Sequence, residues 1–392
     1  MKKQSQTKKL GDVCAFDKVQ GIHRGLPYVG LEHIESHTAR FIGAMEPQPV
    51  KSSTFRFSEE HVLYGRLRPY LNKALAPDFE GHCSTEIFPL RPSRELSRSY
   101  LLFWLLADET CDRINSTCTG ARMPRAQMDD VLEFEIPVPP LAEQKRIVGV
   151  LDEAFEGLAT AKANAGKNLQ NAHALFESHL QSVFTQRGNG WVDKRLEEVL
   201  DVQPQNGWSP PAANHSDSGT PVLTLSSVTG FVFRPEKLKY TSAKTDPKAR
   251  YWIRNGDFLI TRSNTPELVG HVAIASGIER PTIYPDLIMR MNPDPAQAIT
   301  EFLYYQMRTP ALRREITGRA QGANPTMKKI SNAAVRTLPI SLPPVNEQRA
   351  IVATLNSLAA ETQRLAAIYE QKLAALEALK KSLLHQAFAG EL

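Results

Sequence analysis

Between residues 139 and 187 the apolar side chains recur at steps of three and four. They are Ile147, Leu151, Ala154, Leu158, Ala161, Ala165, Leu169, Ala172, Phe176, Leu180 and Val183. That spacing puts them on one stripe of a single helix. Residues 343–392 repeat the pattern with Ile351, Leu355, Leu358, Leu365, Tyr369, Leu373, Leu376 and Leu384. Thr362 and Lys380 interrupt this second stripe, so its far end is expected to be looser. Pro139-Pro140 fix φ at the opening turn, and Glu143 sits where the helix dipole favours an acid. Gly188 and Gly190 supply the stop. Each predicted rod is roughly 70 Å long at 1.5 Å per residue. A rod of that length with one apolar stripe must lie against a partner. Ala154, Ala161, Ala165 and Ala172 would let a second helix approach closely, with Leu and Tyr of the other rod filling the space.

The two rods are copies. Pro-Val-Pro-Pro-Leu-Ala-Glu-Gln-Lys-Arg-Ile-Val at 137–148 returns as Ser-Leu-Pro-Pro-Val-Asn-Glu-Gln-Arg-Ala-Ile-Val at 341–352. The same register carries Ser178, Leu180 and Phe184 onto Ser382, Leu384 and Phe388. Internal repetition of this kind outranks local pattern as a signal. It divides the chain into four segments: a mixed head over 1–138, a helix over 139–187, a second mixed head over 188–342, and a helix over 343–392. A compact domain returns its chain near the point of entry. The end of the first rod should therefore neighbour the start of the second, making the pair antiparallel. The expected architecture is α+β, with two mixed α/β heads separated by an antiparallel pair of long helices in a pseudo-two-fold, near-circular arrangement.

The heads are weakly alike. Residues 8–13 match 194–199, the alternating segment 27–34 matches 221–228, and 62–66 matches 258–262. Late in each head a glycine-bearing loop, Thr119-Gly120-Ala121-Arg122 or Gln321-Gly322-Ala323-Asn324, leads to a strand and the Pro-Pro helix start. Between these landmarks the sequences diverge. A shared frame with different variable parts suggests two versions of one recognition module.

Composition narrows the class. With 392 residues, 42% hydrophobic and 23% charged, the chain suits two or three globular domains. The longest apolar patch, Tyr100 to Ala107, is far too short to span a membrane, and Met1-Lys2-Lys3-Gln4-Ser5 does not open a secretory signal. Cys14, Cys83, Cys111 and Cys118 form no Cys-x-x-Cys pair, which suggests neither zinc nor a disulfide framework and fits a reduced cytoplasm. A net charge of +5 permits nucleic-acid binding without demanding it.

The motif Pro-Pro-x-x-Glu-Gln-[Lys/Arg]-x-Ile-Val, present twice and each time opening a long helix behind a head of about 150 residues, resembles that of specificity subunits of type I restriction-modification systems. The resemblance covers essentially the whole chain. It implies two target-recognition domains, each reading half of a bipartite, asymmetric site in double-stranded DNA. It implies helices that act as a spacer and as docking surface for methyltransferase subunits, two of them, with restriction subunits joining to cleave. S-adenosylmethionine belongs to the methyltransferase subunits, so this chain is expected to be non-catalytic and to hold no cofactor and no metal.

The residues agree. An adenine-amino methyltransferase needs an Asn/Asp-Pro-Pro-aromatic grip for a flipped base and a glycine-rich cofactor loop. The nearest string, Asn292-Pro293-Asp294-Pro295, lacks the second proline and the aromatic and reads as a turn. Pro77-Asp78 with Glu86 lacks the lysine of a nuclease set, and His23, His33 and His37 have no convincing metal spacing. A self-contained modification enzyme and a coiled-coil scaffold without a nucleic-acid role remain the alternatives.

Bases are read by Arg on guanine and by Asn or Gln on adenine, while Lys and Arg on phosphates fix register. Candidate DNA contacts in the first head are Arg24, Arg66, Arg68, Lys73, Arg122 and Arg125, with Arg66 and Arg68 on one side of an extended stretch beside Tyr70. In the second head they are Trp208, Lys244, Lys248, Arg250, Arg262, Asn264, Asn324, Lys328 and Lys329. Arg66 and Arg262 stand out because they hold matching places. Glu143, Gln144, Glu347 and Gln348 have two readings: local helix-start chemistry, or a contact to a methyltransferase subunit or to the opposite head.

Overall fold

The computed structural model describes residues 6–47, 50–120, 122–322, 324 and 326–392. Ala121 and Ala323 of the two glycine-bearing loops, and Met1 to Ser5, lie outside the described residues. The chain forms two compact units, Met1–Asn168 with Ile368–Leu392, and Leu169–Ala367.

The first unit opens with a strand, Gln6–Lys9, paired antiparallel with Glu135–Val138, so the head is closed where the chain leaves it. Behind this ribbon lies a four-stranded antiparallel sheet in the order Cys14–Phe16, Ile87–Pro92, Val62–Gly65, Ala74–Leu75. A second four-stranded sheet includes one parallel pair, Tyr28–Val29 with Gly81–Cys83. Helices Arg98–Leu106 and Asp108–Ser116 cover the first sheet. In the second unit Val192–Arg195 pairs with Pro339–Leu342 in the same way. Its antiparallel sheet runs Leu200–Asn206, Ile288–Pro293, Phe258–Thr261, Val272–Ile274, the same order by equivalence. Helices Thr300–Arg308 and Pro310–Arg319 follow, and its second sheet has five strands. The landmarks shared in sequence are this common frame. Asn292 and Pro293 belong to the strand Ile288–Pro293 rather than to a turn. The Asn292 amide accepts the Phe258 N–H at 2.9 Å and donates to Asp257 at 2.8 Å; the turn begins only at Asp294.

The long helices run Leu141–Thr185 and Val345–Ala389. The second stops short of the end of the chain because Gly390 turns left-handed at φ 76° and the Glu391 N–H donates back to the Gln386 carbonyl. In the first unit the helices run antiparallel. Arg146 donates to the Leu392 carbonyl at 2.8 Å and Lys162 pairs with Glu377, so ascending one helix descends the other. In the second unit Trp191, just past the first helix, donates to Glu347 in the opening turn of the second at 3.1 Å, which gives the same sense.

Every residue of the first stripe is buried or half-buried. Ile147, Leu151, Leu384 and Ala387 enter the core of the first unit, while Phe176, Leu180, Val352 and Leu355 enter that of the second. Each large apolar side chain so buried contributes about 1.5–3 kcal/mol. The polar interruptions are accommodated. Thr362 is buried with its hydroxyl donating to the Leu358 carbonyl at 2.9 Å, and Lys380 reaches the His37 carbonyl at 2.6 Å across the Phe155 ring. The looser far end expected of the second helix is therefore pinned to the first head. Phe155 packs edge-on to Phe103, and Phe184 packs on Phe302 and Trp191, which leaves Leu175 as an exposed apolar residue off the stripe.

Gln144 and Gln348 decide how each helix leaves its head. Both are 0% exposed. Gln144 Oε1 accepts the Ser97 N–H at 2.7 Å, at the start of Arg98–Leu106, and its Nε2 donates to the carbonyls of Glu95 and Pro139, both at 2.8 Å. Gln348 repeats the set with the Ile299 N–H at 2.9 Å and the carbonyls of Gln297 at 3.0 Å and Pro343 at 2.9 Å. One amide thus satisfies three main-chain groups and ties two helix starts together. Truncating Gln144 or Gln348 to Ala strands all three groups, so stability should fall by about 2–4 kcal/mol in thermal unfolding. Gln→Glu should not rescue, because a carboxylate would face two carbonyl oxygens.

Candidate nucleic-acid interface

In the first head the strand Val62–Gly65 runs out into a loop that carries Arg66 and Arg68. The Arg66 N–H donates to the Glu86 carbonyl, and its own carbonyl accepts the Ala126 N–H at 2.9 Å. Its guanidinium lies 5.2 Å from the Phe88 ring centre, half-buried. The stretch is not extended beyond this point. Arg68 is left-handed at φ 53° and opens the single turn Pro69–Leu71. Arg66 and Arg68 therefore do not share one strand face. The Arg68 N–H donates to the Pro124 carbonyl, and Leu67 bridges to Arg125, so the loop bearing Arg122 and Arg125 is drawn alongside. Arg66, Arg68, Arg122 and Arg125 form one basic cluster, with Arg68 and Arg122 exposed. Arg125 is held by Glu86 at 2.9 Å, which raises its pKa chiefly through that hydrogen bond.

Two candidates of this head stand elsewhere. Lys73 turns inward and donates to the carbonyls of Leu31 at 2.6 Å and Ile34 at 2.9 Å, securing the turn Leu31–His33. Arg24 is exposed, apart from the cluster, near the strand Gln20–Gly21. Among the histidines, His23 packs near His82, with ring centres 5.9 Å apart, and His33 Nδ1 accepts the Gly30 N–H.

The second head builds the same constellation. The Arg262 N–H donates to the Leu287 carbonyl, and its carbonyl accepts the Ile330 N–H at 2.9 Å, the main-chain contacts of Arg66 repeated. Asp286 stands 3.9 Å from its guanidinium. Ser263–Asn264 pairs antiparallel with Lys328–Lys329, which gathers Arg262, Asn264, Lys328 and Lys329 and places Asn324 in the adjoining loop. Lys328 donates to the Gly322 carbonyl at 2.8 Å, and Asn324 accepts the Thr326 N–H at 2.9 Å, so both shape that loop. Trp208 stacks on Tyr251 at 5.2 Å, and Lys244, Lys248 and Arg250 lie exposed on the segment before Tyr251.

Asn264 also donates to Thr229 at 3.3 Å, next to a buried support. There Phe231, at φ 62°, stacks on His271 with centres 4.1 Å apart, and the Gly230 N–H donates to His271 Nδ1 at 2.9 Å. Burial, and then the Arg313 cation, push the His271 pKa down to about 4.

Glu143 forms an ion pair with Arg146 at 2.7 Å, Glu347 accepts from Trp191, and the two glutamines are the buried ties described above. Gln144 and Gln348 spend their side-chain amides on main-chain groups at the helix starts. Local sequence pattern did not single out Met123 and Met327, which are exposed in the two basic loops. Their common place, two residues before Arg125 and before Lys329, was the available signal.

Two copies of one frame, each carrying a cationic loop pair at matched positions, define a duplicated recognition protein. The sequence matches the family described as the type I restriction modification DNA specificity domain over residues 2–165 and again over 188–377. The chain belongs to that family. It is 26% identical over 319 residues to the EcoKI specificity subunit of Escherichia coli K12, an alignment covering 77% of this chain and 67% of the relative. With the EcoDI specificity subunit of Escherichia coli it shares 27% over 181 residues, 46% and 40% of the two chains. Its fold matches a chain solved in work on assembly and conformational transition of the type I R-M system, at a TM-score of 0.80 and 23% identity, covering 100% and 99% of the two chains. It also matches the HsdS subunit of Thermoanaerobacter tengcongensis, at a TM-score of 0.66 and 23% identity, covering 100% and 98%.

Two predictions separate cations that face solvent from those that serve the fold. Arg68→Ala should lower the slope of log affinity for duplex DNA against log salt by about 1. Lys73→Ala should leave that slope unchanged and cost about 1–2 kcal/mol of stability. His271 has a depressed folded pKa, about 4 against 6.5 unfolded. Below pH 6.5 the unfolded chain takes up a proton that the folded chain refuses, so stability falls with falling pH. The loss should be roughly 2 kcal/mol between pH 7 and pH 5, read by urea denaturation and abolished in His271→Asn.

Proposed function

We propose that this chain is the DNA-reading, non-catalytic subunit of a type I restriction-modification complex in the cytoplasm. Head 1–138 reads one half of a bipartite duplex site and head 188–342 reads the other, and because their loops differ the site is asymmetric. Helices 139–187 and 343–392 set the spacer and dock two methyltransferase subunits, which bring S-adenosylmethionine, with restriction subunits joining them. In the first head Arg66, Arg68 and Arg122 face the DNA; in the second, Arg262, Asn264, Asn324 and Lys329 do so. The carrying observation is the matched main-chain setting of Arg66 and Arg262 inside loops that otherwise diverge. The unbroken helices Leu141–Thr185 and Val345–Ala389 support the spacer role.

Methylome sequencing of cells with and without the chain tests the reading. The expected result is a single bipartite motif that disappears with the chain. Four residues inserted in both helices add ~6 Å, close to two base pairs at about 3.4 Å each. The spacer should then lengthen while both half-sites stay the same. Altered half-sites with an unaltered spacer would show that the helices do not set the spacing.

A further inference from the structure

We propose that Met123 and Met327 are apolar wedges, one in each head, that enter a base step of the half-site which that head reads. The proposal rests on the DNA reading above and assigns to that interface two residues of a different chemistry from its cations.

Isolated exposed apolar side chains are ordinary on protein surfaces. These two are matched. Met123 is 47% exposed and Met327 48%. In the first head Thr119 and Arg125 exchange main-chain hydrogen bonds at 3.2 and 3.1 Å and close a loop. In the second, Gln321 and Lys329 do so, both at 2.8 Å. The second loop is longer by two residues, yet in both the methionine stands two residues before the closing residue.

The backbone device is matched as well. Gly120 and Gly322 each follow the first closing residue and have positive φ, 94° and 152°. A Cβ on Gly120 would lie 3.3 Å from the Met123 carbonyl oxygen, and one on Gly322 would lie 2.8 Å from that of Met327. Glycine at that place lets the chain come close behind the methionine. A cation then braces each loop from within, with Arg125 donating to the Met123 carbonyl at 3.2 Å and Lys328 to that of Gly322 at 2.8 Å. Two loops of different length and sequence thus carry a methionine at the same distance from the closing residue and opposite a glycine of positive φ, although a different cation contact braces each.

The chemistry of the surroundings selects the ligand. Cations next to each methionine draw in phosphates, and an unbranched, polarisable thioether fits an irregular gap such as an opened base step. Apolar side chains inserted in this way unstack the step, and sequences whose steps open easily are then favoured without any hydrogen bond to a base.

The test uses the full chain assembled with its methyltransferase subunits and a pool of random-sequence duplexes. Selected duplexes are then resynthesised with 2-aminopurine at successive positions of each half-site. Binding of the wild-type complex should raise fluorescence at one step in each half other than the adenine that the methyltransferase flips. Met123→Ala should abolish the rise in one half only and weaken binding about tenfold, and Met327→Ala should do the same in the other half. Met123→Leu should keep both the rise and the affinity. Unchanged affinity and fluorescence in Met123→Ala, while Arg66→Ala still weakens binding, would overturn the wedge and leave the DNA reading standing. A drop in affinity with no unstacked step anywhere would also overturn it. A wild-type complex that selects no sequence would remove both readings together.

Discussion

A buried primary amide sets the terms for each half of the molecule. Gln144 and Gln348 sit one turn into their long helices, fully shielded from water, and each joins an N–H at the start of a head helix to a carbonyl preceding it and to a carbonyl of the Pro-Pro entrance. A side-chain amide has one acceptor and two donor hydrogens, and here all three are used. Because no water can replace a lost partner, the direction in which the long helix leaves the head has one low-energy solution. The neighbouring glutamates are free to differ, and they do: one pairs with Arg146 and the other accepts from Trp191.

The cation loops follow from that frame. Arg66 and Arg262 leave equivalent central strands and are held by equivalent main-chain hydrogen bonds, so their placement belongs to the part that is duplicated. What differs is the local chemistry around them. The first head offers Arg68, Arg122 and the Glu86-paired Arg125, and the second offers Asn264, Asn324 and a lysine pair. A common scaffold whose two copies carry different loops and a different second sheet is what reading two different half-sites with one fold requires.

Much of this was legible in the chain. A 3.6-residue period and a constant register between two copies depend only on local geometry and on repetition, so the long helices, the duplication and the recurrence of Arg66 at Arg262 could be read directly. Their ends could be read less well, since the stop at Ala389 depends on Gly390 turning left-handed. The individual roles of charged residues were poorly legible. Lys73 and Arg68 look alike in sequence, yet one is spent on carbonyls of the turn beside it and the other faces solvent. Asn292, read as a turn, holds two strands together.

The sequence by itself determined the two rods, the twin heads and the family motif, because periodicity and repeat register are properties of neighbours along the chain. Only the tertiary structure decided which polar groups are consumed in holding the fold and which are left to meet a ligand. That choice is made by partners 30 to 50 residues away, as Ser97 is for Gln144, Glu86 for Arg125 and Leu31 for Lys73. No local pattern encodes such distant pairings.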